Sequence, residues 1–188
     1  MKPRWSYLVE PIEGTYLNTQ TIGGVDFVIN TSIEDVKYVN RLGKIIESPK
    51  GSEIPKGSTV VLHHNVFRTY YNMKGKKTKS NEYFRENKYL VPEEKIYMYN
   101  HSGDWVCTSD FCFVSPIDFH QDDEIFRSDK KEQEHTGIVK YIKNSYINIG
   151  DKVAFTKNSE YEFNVGGEKL YRMKHKNICL LLDGQVAK

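Results

Sequence analysis

Gly57-Ser58-Thr59-Val60-Val61-Leu62 and Gly150-Asp151-Lys152-Val153-Ala154-Phe155 are two versions of one phrase, and they decide the fold. Each is a glycine turn that runs into a strand-like apolar stretch. Each follows a short run that also opens on glycine: Gly43-Lys44-Ile45-Ile46 in the first half, Gly137-Ile138-Val139-Lys140 in the second. Further upstream, Tyr7-Leu8-Val9-Glu10-Pro11-Ile12 matches Cys112-Phe113-Val114-Ser115-Pro116-Ile117. Downstream, Tyr89 precedes Ile96-Tyr97-Met98 as Tyr171 precedes Ile178-Cys179-Leu180. Four markers recur in one order, with the length differences falling between them. Two copies of one small β module account for this.

A chain of 188 residues is long enough for two such modules, expected over residues 1–100 and 101–188 with a short junction at 100–103. The 13 Tyr and 9 Phe, with many Val and Ile, favour strands. Gly and Pro punctuation at short intervals reads as small barrels or sandwiches. Val165-Gly166-Gly167-Glu168 is a hairpin turn, because Gly-Gly tolerates positive φ at both central positions. Helix is confined to a weak pattern at 32–38 and one turn at 92–95. No apolar run approaches the ~18 residues of a membrane helix. The N-terminus carries no apolar signal region, so a cytoplasmic protein with reduced thiols is expected. The net charge of +2 makes no strong case for nucleic acid.

Three segments break the strand rhythm. Residues 13–24 are polar, end in Gly23-Gly24, and lead into Val25-Asp26-Phe27-Val28-Ile29. Residues 119–136 are densely charged, with Ile125 and Phe126 near their middle. Residues 72–80 carry Lys74, Lys76, Lys77 and Lys79, within an extended hairpin near 70–84. Long irregular segments in compact modules are functional or disordered.

Tyr146-Ile147-Asn148-Ile149-Gly150-Asp151-Lys152-Val153-Ala154-Phe155, the acidic stretch Glu160-Tyr161-Glu162-Phe163-Asn164-Val165-Gly166-Gly167, and Ile178-Cys179-Leu180-Leu181 together resemble the C-terminal half of the GroES family of co-chaperonins. Val9-Glu10-Pro11-Ile12 is similar to that family's first strand, and Gly23-Gly24-Val25 to its mobile loop. The chain departs from the family pattern by its duplication, by Ser58 in place of the aspartate, and by lacking a roof hairpin between Ile46 and Val60.

The resemblance implies an all-β protein of two tandem GroES-like small β-barrels, without enzymatic activity and without cofactor or metal. It implies a homo-oligomeric ring, a heptamer by family symmetry, that caps a nucleotide-bound GroEL-type chaperonin in a bacterial cytoplasm. The compact, divergent form implies a bacteriophage source. The chaperonin-binding segment would be the mobile loop near 13–29, with Gly23, Gly24, Val25, Asp26, Phe27, Val28 and Ile29 as its site. Two apolar trios are open: Val25-Asp26-Phe27, beside the glycines, and Phe27-Val28-Ile29, the more apolar. Ile125-Phe126 is a candidate second grip.

Other features have simpler readings. His63-His64 at the end of a strand would face opposite ways and make a poor metal pair. Cys107, Cys112 and Cys179 read as small buried hydrophobes. Asp122-Asp123-Glu124 reads as solvated surface. The lysines at 74–79 mix with Tyr70, Tyr71, Tyr83 and Phe84, which also suits an OB-like single-strand binder. That binder and a phage structural protein are the alternative functions.

Overall fold

The structure is a computed structural model that describes residues 2–32, 35–118, 132–143 and 146–182. The charged run 119–131, with Asp122, Asp123, Glu124, Ile125 and Phe126, lies outside the described residues. The strands in chain order are β1 (Tyr7–Pro11), β2 (Thr19–Ile22), β3 (Val25–Val28), β4 (Leu42–Glu47), β5 (Thr59–Leu62), β6 (Thr69–Tyr71), β7 (Lys77–Lys79), β8 (Tyr83–Arg85), β9 (Lys88–Val91), β10 (Ile96–His101), β11 (Asp104–Cys107), β12 (Phe111–Asp118), β13 (Glu132–Ile142), β14 (Lys152–Phe155), β15 (Tyr161–Val165), β16 (Glu168–Lys174) and β17 (Ile178–Leu182). Among the described residues helix is limited to three short 3-10 turns, Val36–Tyr38, Glu93–Lys95 and His175–Asn177. The protein is all-β. No described helix is long and apolar enough to cross a membrane.

The chain divides into two compact units, Met1–Trp105 and Val106–Lys188. Asn100 and His101 end β10, and Ser102-Gly103 turn it into β11, so these residues belong to the first sheet rather than to a linker.

The two main sheets repeat one strand order. The first runs β11-β10-β5-β4-β1-β9-β8, the second β17-β14-β13-β12-β16-β15. With β11 set aside, the strands correspond one to one. The registers correspond as well. Pro11 lies opposite Gly43, which lies opposite Val60; Pro116 lies opposite Gly137, which lies opposite Val153. Val9 is flanked by Ile45 and Tyr89, and Val114 by Val139 and Tyr171. Even the register shifts repeat, between Leu8 and Val9 and between Phe113 and Val114.

The repeated glycine has a steric reason. A Cβ on Gly43 would lie 2.6 Å from Val9 Cγ1, and one on Gly137 would lie 2.9 Å from the Ser115 carbonyl oxygen. Both glycines lie opposite a proline, Pro11 and Pro116, where the facing strand closes in. The Ser58/Asp151 exchange is also local chemistry. Ser58 Oγ donates to the Pro55 carbonyl at 2.8 Å, whereas Asp151 Oδ2 accepts from the Asn148 N–H at 2.8 Å. Both close the turn that starts the equivalent strand.

Val60 and Leu62 point into a core with Tyr7, Val9, Ile45, Tyr89 and Ile96. Val153 and Phe155 point into one with Cys112, Val114, Val139 and Met173. Burying such side chains contributes roughly 1.5–3 kcal/mol each.

Several expectations are corrected. Among the described residues the sheets are open rather than closed barrels, because their outermost strands are not hydrogen-bonded to one another. Residues 132–136, read as loop, are the start of β13, which extends over eleven residues. The weak helical pattern at 32–38 yields only Val36–Tyr38, capped by Asp35 Oδ1 on the Lys37 N–H. β5 ends at Leu62, so His63 and His64 leave the strand alternation and their rings meet, with centroids 4.2 Å apart. Cys107 and Cys112 are buried, and burial pushes the Cys112 thiol up to about 12, but Cys179 is exposed.

Candidate functional site

The stretch 13–24, expected to be irregular, supplies one strand and the turn of a β-hairpin. β2 and β3 pair antiparallel, with Ile22 opposite Val25, Thr21 opposite Asp26, Gln20 opposite Phe27 and Thr19 opposite Val28. Gly23 and Gly24 form the two-residue turn, with φ of +59° and +82°. Positive φ at both central positions matches the twist of the flanking strands, and glycine adopts it without a Cβ penalty.

The root of the hairpin is fixed by specific bonds. Asn40, itself buried, donates from Nδ2 to the Ile12 carbonyl and, at 2.7 Å, to the Gly14 carbonyl. Its Oδ1 accepts the Leu42 N–H at 2.8 Å. Tyr16 forms a bridge with Val39, and its hydroxyl accepts the Thr69 N–H at 2.9 Å. Leu17 N–H donates to Tyr38 at 2.8 Å, and Ile29 N–H to Asn18 at 2.9 Å. Asn18 Nδ2 reaches the Asn30 carbonyl at 2.7 Å. These contacts satisfy the backbone where the hairpin leaves the module.

Beyond the root, every residue of β2 and β3 is exposed. Residues opposite one another in an antiparallel pair share a face, and successive residues alternate between faces. Ile22, Val25 and Phe27 therefore lie on one face with Gln20. Ile29, opposite Asn18, continues the same row. Thr19, Thr21, Asp26 and Val28 lie on the other. Thr21 Oγ1 donates to Asp26 Oδ1 at 2.5 Å across that second face.

Strand alternation separates the members of the two candidate trios by face. Asp26 does not interrupt an apolar grip, because it points away from it. The apolar row is Ile22, Val25, Phe27 and Ile29, with exposures of 57, 57, 50 and 48%. Val28 belongs to the opposite face. Ile22 joins this row from the partner strand, outside the consecutive residues 23–29 singled out in the sequence. The signal for it was Gly23-Gly24, which sets Ile22 opposite Val25. Gly23 and Gly24 serve as the turn, and no neighbour lies within 4 Å of a Cβ built on either.

A second departure from the common module is the insert between β5 and β8. There the chain runs from 63 to 82, whereas residues 156–160 suffice between β14 and β15. The insert contains β6 and β7, paired with Tyr70 opposite Thr78 and Tyr71 opposite Lys77. Lys79 Nζ lies 3.9 Å from the centroid of Tyr83.

The third is the strand at the end of each sheet. β10 is covered along its outer edge by β11, and its Met98 is fully buried. The equivalent β17 has no neighbour beyond it among the described residues, and its Leu180 and Leu181 are 60 and 54% exposed.

Comparison with protein-family models and with curated proteins finds no match to this chain.

Proposed function

We propose that the chain is a GroES-type co-chaperonin whose β2–β3 hairpin docks the row Ile22, Val25, Phe27 and Ile29 into an apolar groove of a GroEL-type chaperonin. The observation that carries this reading is that row: four large apolar side chains aligned on one face of a rooted hairpin, each about half exposed. Apolar clusters kept in water at a projecting tip mark interaction sites. The sequence resemblance in both modules supports the choice of partner.

The energetics suit a reversible cap. Each of the four side chains has about half its surface left to bury, roughly 1–1.5 kcal/mol apiece on the scale for complete burial. One hairpin thus offers about 4–6 kcal/mol before association costs, which corresponds to weak, millimolar-range binding. The hairpin is already paired, so docking avoids much of the ordering entropy of an irregular loop. Several hairpins on one rigid body turn weak contacts into firm binding through effective concentration.

An oligomer is therefore part of the proposal. The β17 edge supports it: five uncharged residues, unpaired along one side among the described residues, where the first module covers the same strand. Exposed apolar edges of this sort pair with other strands. A homo-oligomeric ring, heptameric if it matches a sevenfold partner, acting in the cytoplasm of a bacterial host, completes the reading. A phage source accords with it. The test is co-elution with a GroEL-type chaperonin. The proposal requires a complex that forms with adenine nucleotide and is lost without it. Failure to form a complex in either condition refutes it.

A further inference from the structure

The insert of the first module lies outside the proposed capping face, although its Thr69 helps to hold the hairpin root. It replaces a five-residue connection by a twenty-residue one, and it changes the local charge. From residue 54 to residue 81 there is no Asp or Glu, while Lys56, Arg68, Lys74, Lys76, Lys77 and Lys79 all fall in that span. A solvated turn does not need such an imbalance.

At the root of the insert lies a polar cavity of roughly 290 Å³, lined by Asn65, Arg68, Tyr70, Ser80, Glu82 and Lys95 among others. Most of its polar groups are engaged. Lys95 Nζ is paired with Glu82 Oε1. Ser80 Oγ donates to the Val66 carbonyl, and Ser80 N–H to the Arg68 carbonyl at 3.0 Å. Asn65 N–H donates to His63 Nδ1 at 3.0 Å. Two groups are not: Arg68 Nε and Asn65 Oδ1 are buried and have no hydrogen-bond partner within the protein. Buried polar groups are ordinarily satisfied, so an unpaired donor and an unpaired acceptor on two residues that line one cavity call for a ligand or ordered solvent.

The charges select among ligands. Arg68 and Lys95 face the cavity against the single carboxylate of Glu82, which leaves a positive balance. A guanidinium edge with a free N–H binds oxyanions in its plane. Asn65 Oδ1 requires a donor, which a protonated phosphate oxygen or a hydroxyl beside a phosphate supplies. Tyr70 gives the cavity an aromatic wall. The four lysines of the adjoining hairpin extend the positive field outward, and field of one sign raises the local concentration of anions.

We propose that this cavity is a phosphate-binding site of the first module, with Arg68 as the anion-holding residue and the lysine hairpin as its approach. Free phosphate or a small phosphomonoester is one source of that chemistry, and the backbone of a single-stranded nucleic acid is the other.

The test titrates the full chain with inorganic phosphate and, separately, with a thymidine oligonucleotide, following backbone amide shifts by NMR. In the phosphate arm the amides of Asn65, Arg68 and Ser80 should shift saturably, and Arg68→Gln should weaken binding about tenfold or more, the effect of losing one charge-assisted contact. In the oligonucleotide arm, binding that falls with salt and is weakened by both Arg68→Gln and a Lys74→Ser/Lys76→Ser/Lys77→Ser variant assigns the phosphate to nucleic acid. Saturation by phosphate with no oligonucleotide binding assigns a small ligand. The wild-type shift map stands whether or not Arg68→Gln folds. The proposal is overturned if neither probe shifts the cavity amides, or if a folded Arg68→Gln binds as the wild type does.

Discussion

Val25 and Val28 form a matched pair on one short strand, 57 and 59% exposed, and they point to opposite faces of the hairpin. The same truncation at each isolates the face from every other variable. Val→Ala removes about two methylene equivalents, roughly 0.9 kcal/mol when the exposed 57% of the side chain is buried on docking. At Val25, on the row with Ile22, Phe27 and Ile29, this should weaken each docked hairpin by about fivefold. Repetition over several hairpins compounds the loss into failure of capping. At Val28, on the face with Thr19, Thr21 and Asp26, it should leave capping within about twofold of wild type, because exposed substitutions change energies by only ~0.5 kcal/mol. Neither side chain touches the core, so thermal melting of the free protein should be nearly the same for both variants. The assay is nucleotide-dependent retention on an immobilised chaperonin, with melts run on the same preparations. Equal losses for the two variants, or a greater loss at Val28, would refute the facial assignment even if the protein does bind a chaperonin.

Three further outcomes follow from the packing. Phe27→Ala should leave the melt unchanged while abolishing chaperonin-dependent refolding, since Phe27 stands outside both cores; a collapsed melt would make it structural. Gly43→Ala should destabilise the first module by about 1–3 kcal/mol in a denaturant titration, because its Cβ would meet Val9, and Gly137→Ala should do the same to the second through the Ser115 carbonyl. A neutral result at both would show that the close approach at these glycines is not kept in solution. Burial pushes the Tyr89 hydroxyl up to about 12. The raised value means that its contribution to stability is complete below the unfolded tyrosine value near 10 and is lost as pH rises through about 12. Ultraviolet titration of wild type against Tyr89→Phe should show one late-ionising tyrosine missing from the variant.

The repeat was legible because it is written in residues with strong local meaning. Gly43 and Gly137, Pro11 and Pro116, and Tyr89 and Tyr171 recur at positions where the backbone crowds or the core is filled, so sequence order maps onto register. Irregular chain is expected over 13–24 and a strand over Asp26–Asn30, so β2 goes unforeseen, although Gly23-Gly24 carries the same turn chemistry that identified Gly166-Gly167 correctly. The difference lies in the flanks. Thr19-Gln20-Thr21 is polar, and its strand faces water on both sides, so no buried alternation announces it. The grip was sought as three consecutive residues, yet strand geometry builds a face from every second residue and from the partner strand. That is why Ile22 escaped notice and Asp26 looked like an obstacle. The His63-His64 pair was misjudged for the opposite reason. Strand alternation was assumed to continue one residue past Leu62, where the chain turns. Arg68 and Asn65 gave no signal at all, because an unpaired buried atom is a property of tertiary placement.

The central claim is that the hairpin face is the chaperonin contact, and amide hydrogen exchange tests it most directly. Exchange should be followed across the whole chain, alone, with chaperonin, and with chaperonin plus adenine nucleotide. The account predicts that amides of Thr19–Ile22 and Val25–Val28 slow markedly only when chaperonin and nucleotide are both present, while the core strands β5 and β14 change little. A nucleotide-dependent complex that leaves the hairpin amides exchanging as in the free protein would contradict it.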